Sequence, residues 1–63
     1  MTPGSWLREL RDARGWTQQE LGIRLGGISP RRISDWENNH RSISKEIAKR
    51  LTKIFRVSVE HFL

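Results

Sequence analysis

The side chains able to do chemistry in this chain are two histidines, a scatter of serines, and a set of arginine, amide and aspartate residues between Gln18 and Lys45. His40 and His61 lie far apart and the sequence holds no cysteine, so a metal site lacks the three or four convergent ligands it needs. The notable serines, Ser29, Ser44 and Ser58, each precede a helical pattern and read as caps rather than nucleophiles. Gly26-Gly27 is not followed by the Lys-Ser/Thr pair that completes a phosphate loop. What remains is recognition chemistry. An arginine fork meets guanine O6 and N7 bidentately, a carboxylate accepts from cytosine N4, and amides and hydroxyls bind phosphate oxygens.

Composition points the same way. Twelve Lys and Arg against seven Asp and Glu give the 63 residues a net charge of +5, a balance that favours a polyanionic partner, nucleic acid first. Apolar residues make up 35%, enough for one modest core, and the expected organisation is a single domain over residues 1–63. A sizeable catalytic pocket is hard to build at this length, so no enzyme activity and no cofactor are expected. No run of apolar residues exceeds two, so neither a membrane span nor a secretory signal is expected, and the lack of cysteine is compatible with the cytoplasm.

The elements that must hold these side chains are all helical. Thr2-Pro3 is a cap followed by proline at the first helical position, and Trp6, Leu7, Leu10 and Ala13 then share one face up to Gly15. Thr17-Gln18-Gln19-Glu20 is a capping box, with Trp16 and Leu21 placed for a hydrophobic staple. This second helix is expected to run to Leu25 and stop at Gly26-Gly27. Ser29-Pro30 repeats the cap-then-proline signal and opens a third helix over about 30–37. A loop through Asn38-Asn39-His40-Arg41-Ser42 leads to Ser44, which caps a helix with Ile47, Ala48, Leu51, Ile54 and Phe55 on one face. Ser58 opens a last turn carrying Val59, Phe62 and Leu63. The expected fold is all-α: a compact domain of five helices, with a helix-turn-helix formed by the second and third.

At about 100° per residue, Ile33, Trp36 and Glu37 fall on one side of the third helix and Arg31, Asp35 and Asn38 on the other, with Arg32 and Ser34 on the flanks. The inward set can pack on Leu21 and Leu25, and Gly22 lets the two helices approach closely. Arg31 is the best-placed reader of a major groove; Asp35 either accepts from cytosine or orients Arg31 as an i,i+4 partner. Gln18, at the start of the second helix, sits where free N–H groups and the helix dipole favour a phosphate. Lys45, Lys49, Lys53 and Arg56 form a basic stripe that reads mainly as a solvated face, with Lys45 nearest the expected DNA side.

These residues carry a resemblance. The stretch Leu10-Arg11 … Gly15-Trp16-Thr17-Gln18-Gln19-Glu20-Leu21-Gly22-Ile23-Arg24-Leu25-Gly26 resembles the "LR…GxTQxELAxxLG" signature of the phage Cro and repressor type, or XRE, helix-turn-helix family. Ile33-Ser34-Asp35-Trp36-Glu37-Asn38 is similar to its "ISxWEN" segment and Val57-Ser58-Val59-Glu60 to its closing "GVSxE". The resemblance implies a repressor that binds double-stranded DNA as a homodimer on an inverted repeat. The candidate contacts are Gln18, Ser29, Arg31, Arg32, Ser34, Asp35, Asn38, Arg41 and Lys45, and the resemblance implies that Gln18, Asn38 and Arg41 grip phosphates. It also implies an internal Arg11–Glu37 ion pair. Thr2-Pro3-Gly4 and the run Ile43 to Leu51 look most like HigA-like antitoxins of type II toxin–antitoxin pairs, which would add a toxin protein as partner and autoregulation as role.

Three departures stand out. Gly26-Gly27-Ile28 carries one residue more than the family turn, Asn39 and Arg56 stand where glycine is common, and Pro30 replaces a polar residue at the start of the reading helix. Val59, Phe62 and Leu63, with the isolated Ile23, are candidates for a dimer surface, although Val59 and Phe62 serve equally well to close the core. The alternative to a repressor is a protein-docking module that no longer reads DNA, motivated by the extra glycine and Asp35. Charge-driven coating of DNA without sequence preference is a third reading.

Overall fold

In the computed structural model, which describes residues 1–62, the chain forms four α-helices and one closing turn: α1 Pro3–Ala13, α2 Gln18–Arg24, α3 Pro30–Glu37 and α4 Lys45–Phe55, then a 3-10 turn over Val59–Phe62. The fifth helix expected from the sequence is therefore a correction. Four residues complete only one tight turn, too short to close a run of i→i−4 bonds, and a 3-10 turn is what such a segment forms. Leu63 lies outside the described residues.

Each helix begins where its local chemistry says it should. Thr2, Thr17, Ser29 and Ser44 are all extended residues whose hydroxyls accept from the backbone N–H three residues on. At α2 the box is reciprocal: Glu20 N donates to Thr17 Oγ1 and Thr17 N donates to Glu20 Oε1, both at 3.0 Å. Helix α2 ends at Arg24 with Leu25 as its cap, one residue before the expected stop. Asn39 and Arg56 take positive φ, 59° and 56°; asparagine tolerates this region, whereas Arg56 adopts it at a steric cost.

Helix α3 packs between α1 and α2, and the 3-10 turn bridges α1 and α4. The core draws Leu7 from α1, Leu21 and Leu25 around α2, Ile33 and Trp36 from α3, Ala48, Leu51 and Phe55 from α4, and Phe62 from the turn. Phe62 is buried, so it closes the core and offers nothing to a partner, while Val59 is half-buried against it. Trp16 packs its ring 5.5 Å from that of Phe55, and Trp6 meets His61 edge-on at 4.5 Å. Both tryptophans are thus packing residues. Gly4 makes α1 fit: a Cβ there would press on the carbonyl oxygens of Trp36 and Glu37, so α1 can lie against the end of α3 only without a side chain at this point.

Candidate nucleic-acid interface

The α2–α3 turn places the third helix. Gly26 N donates to Ile23 O at 3.0 Å and Gly27 N to Gly22 O at 2.9 Å, the paired bonds of a Schellman cap with Gly26 in its left-handed position. Gly26 is therefore the helix-ending glycine and Gly27 the additional residue. Gly27 also has positive φ, 101°, and this second reversal brings Ile28 N onto the same Gly22 oxygen at 2.9 Å. Gly22 permits a close approach, but to the Ile28 carbonyl of the turn and not to α3 as expected. Arg50 of α4 locks the arrangement from outside by donating from Nη1 to Leu25 O at 3.0 Å, and its Nη2 meets Glu46 at 3.3 Å.

The inner face of α3 is as expected: Ile33, Trp36 and Glu37 are buried. The buried carboxylate is matched. Arg11 donates from Nε to Glu37 Oε2 at 2.6 Å and from Nη2 to Oε1 at 3.1 Å, while its Nη1 holds Trp16 O at 2.7 Å. The hydrogen bond to Glu37 raises the Arg11 pKa further, against the opposing effect of burial, so the guanidinium stays charged. Arg11 is thus a brace joining α1, the start of α2 and the end of α3. Gln18 belongs to the same network, for its Nε2 donates to Glu37 Oε1 at 3.2 Å. One amide hydrogen of Gln18 is spent inward and the other remains for a ligand.

On the outer side the two arginine side chains are free. Arg31 and Arg32 are exposed, and among the described residues neither guanidinium has a hydrogen-bond or ion-pair partner. Of the two roles open to Asp35, the i,i+4 pairing with Arg31 is not formed among these residues; Asp35 is half-buried and its backbone carbonyl accepts from His40 N at 2.8 Å and Arg41 N at 3.3 Å. Ser29 caps α3. Asn38 Nδ2 folds back onto Ser34 O at 2.9 Å and Ser34 Oγ at 3.2 Å, so the exposed Asn38 and the half-buried Ser34 together finish the helix. Arg41 and Lys45 are exposed in and after the following loop, and Lys49, Lys53 and Arg56 are exposed as a solvated stripe.

Several further contacts carry no local signal in the sequence. Arg50 stood outside the basic stripe, and nothing local shows that it reaches the end of α2. Arg24 lies 4.2 Å over the Trp16 ring, and Arg14 5.6 Å from the same ring and from that of Phe55. Long-range contacts of this kind leave no periodic trace. Among the described residues no group of three or more His, Asp or Glu side chains is placed to hold a metal ion, and no helix is long and apolar enough to cross a membrane.

Two short capped helices, a glycine turn and an outward basic face define a helix-turn-helix protein. The chain belongs to the XRE-type helix-turn-helix family, whose model, described as Helix-turn-helix, matches residues 7–62. That is a family of DNA-binding regulators, typically without enzymatic activity. No curated protein and no solved structure gives a significant match to the chain.

Proposed function

We propose that the chain is a sequence-specific repressor that reads duplex DNA with α3 in the major groove, as a homodimer on an inverted repeat. The observation that carries this reading is the division of α3. Its inner face is consumed by the core and the Arg11–Glu37 brace, while Arg31 and Arg32 stand exposed without a protein partner. Arg31 is the principal base reader, through a bidentate contact with guanine; Arg32, Ser34 and Asp35 flank it. Ser29, Gln18, Asn38, Arg41 and Lys45 bind the phosphates on either side. Gln18 does so with its second amide hydrogen, while Glu37 fixes the first.

A second copy is needed for reach. The chain measures 24 × 24 × 21 Å and has one reading helix, whereas successive major grooves on one face of the duplex are ~34 Å apart. Of the side chains expected at the interface, Ile23, 65% exposed, and the half-buried Val59 remain available. The similarity of Thr2-Pro3-Gly4 and Ile43 to Leu51 to HigA-like antitoxins supports an autoregulating antitoxin in the cytoplasm, with a toxin protein as further partner. The second reading, a protein-docking module, is motivated by the additional Gly27 in the turn and by Asp35, a carboxylate that phosphates would repel.

Selection from randomised duplexes at physiological salt separates these readings. An enriched inverted repeat is the expected result. Retention without enrichment indicates charge-driven coating, and no retention indicates protein docking. On the selected duplex, Arg31→Ala is expected to cost ~1–3 kcal/mol and to relax preference at one base pair. If Arg31→Ala binds the same sequence equally well, the reading face has been misplaced.

A further inference from the structure

The double-glycine turn is unusual in how it is accommodated. A Schellman cap ending in Gly26 already completes α2, yet the chain takes a second left-handed step at Gly27 before α3 can begin. That step swings Ile28 back along α2, so that its N–H shares the Gly22 oxygen with Gly27 and its own carbonyl lies against the Gly22 Cα. A Cβ on residue 22 would fall well inside van der Waals contact of Ile28 O, with Ile28 C only 3.2 Å away. Backbone cannot swing aside as a flexible side-chain tip does. The signature quoted above carries alanine at this position together with a turn one residue shorter. Ile28 is followed at once by Ser29, the cap of α3, so a displacement of Ile28 is passed directly to the third helix.

We propose that Gly22 and Gly27 form one coupled unit that sets where α3 projects from α2. Gly22 is thereby a specificity-positioning residue although it touches no base. The extra residue in the turn and the missing methyl on the helix are two halves of one adjustment, and each requires the other. The consequence for base reading rests on the repressor reading above; the coupling itself does not.

Four proteins test it: the natural chain, Gly22→Ala, deletion of Gly27, and both changes together. Gly22→Ala forces overpacking against backbone and is expected to lower the melting temperature by roughly 5–20 °C. Deletion alone leaves one N–H in place of two on the Gly22 oxygen and withdraws the Ile28 carbonyl that packs on Gly22, and it also lowers the melting temperature. The combined variant is expected to melt above Gly22→Ala, since a residue-22 methyl has room once the turn is shortened. Additive losses overturn the coupling. Should Gly22→Ala fail to fold, a folded combined variant supports the proposal and an unfolded one overturns it.

Amide spectra give the positional readout. Resonances of Arg31 to Asp35 are expected to shift in Gly22→Ala and to return towards their original places in the combined variant; unmoved resonances in a folded Gly22→Ala overturn the positioning role. With the duplex selected by the natural chain, preference over a random duplex is expected to fall at least about tenfold in Gly22→Ala and to recover in the combined variant. An unaltered preference also overturns that role. If the natural chain selects no duplex, the repressor reading falls, while the melting and amide measurements still decide the proposal.

Discussion

Glu37 is the residue on which several elements depend. Its carboxylate is almost wholly buried and is satisfied by two arginine N–H groups and one amide N–H, so α1, α2 and α3 meet on one side chain. Burying an ion pair is costly, but stranding half of one costs more. Glu37→Leu alone is therefore expected to destabilise the fold by about 3–5 kcal/mol, because Arg11 Nε and Nη2 lose their acceptors and only the exposed Asp12, 3.4 Å from Nη1, is left as a counter-charge. Arg11→Met with Glu37→Leu is expected to cost clearly less, which chemical denaturation of the three proteins checks. Glu20 gives a second residue-scale expectation. The Thr17 backbone N–H, and after it the Thr17 hydroxyl, holds its carboxyl below the ordinary value of 4.5. A carboxyl with a depressed folded pKa stabilises the fold above its unfolded pKa. That contribution is lost as pH falls below the ordinary value of 4.5 and through the lower folded value. Glu20→Gln is expected to flatten this limb of the stability–pH curve, measured by melting between pH 2 and pH 6, and to leave the remaining acid sensitivity intact.

At the scale of elements, the chain is largely self-announcing at helix starts and silent at helix contacts. Thr2, Thr17, Ser29 and Ser44 could each be recognised as caps because a cap bonds to residues only three positions away. The buried faces of α3 and α4 were equally legible, since helical periodicity is itself local. The 3-10 turn was not, because four residues carry too little pattern to distinguish it from a helix end. Nor could spacing show that Arg50 reaches Leu25, that Gly4 lies under the end of α3, or that Gln18 turns an amide hydrogen inward to Glu37. Each is a contact between residues far apart in sequence. For the interface, the outward arginines followed from periodicity, whereas Asn38 folding onto Ser34 depends on side-chain choices that no spacing rule states. Arg56 supplies the element-scale prediction. It ends α4 in the left-handed region, its side chain is exposed, and the steric cost of that conformation is about 1–2 kcal/mol. Arg56→Gly is expected to raise stability by about 0.5–1 kcal/mol, glycine's larger unfolded entropy offsetting part of the gain. A melting temperature that does not rise would place the strain elsewhere.

For the whole molecule, size and charge set the terms of binding. On the proposed repressor reading, a body of 24 × 24 × 21 Å with one reading helix meets one half-site, so operator affinity is expected only from two copies. Sedimentation at high micromolar concentration is expected to show a dimer on the selected duplex, and a monodisperse monomer with and without DNA would remove the dimer from the account. The +5 charge predicts steep loss of affinity with salt, with a log–log slope near −0.9 for each phosphate neutralised. The division of labour on α3 has a practical consequence. Ile33, Trp36 and Glu37 hold the helix in place, and Arg31 and Arg32 hold nothing within the described residues. Folding and the proposed recognition thus use different letters on the same eight residues. A library randomised at positions 31 and 32 would retain the scaffold in nearly every member, and new operators could be sought without first repairing the protein.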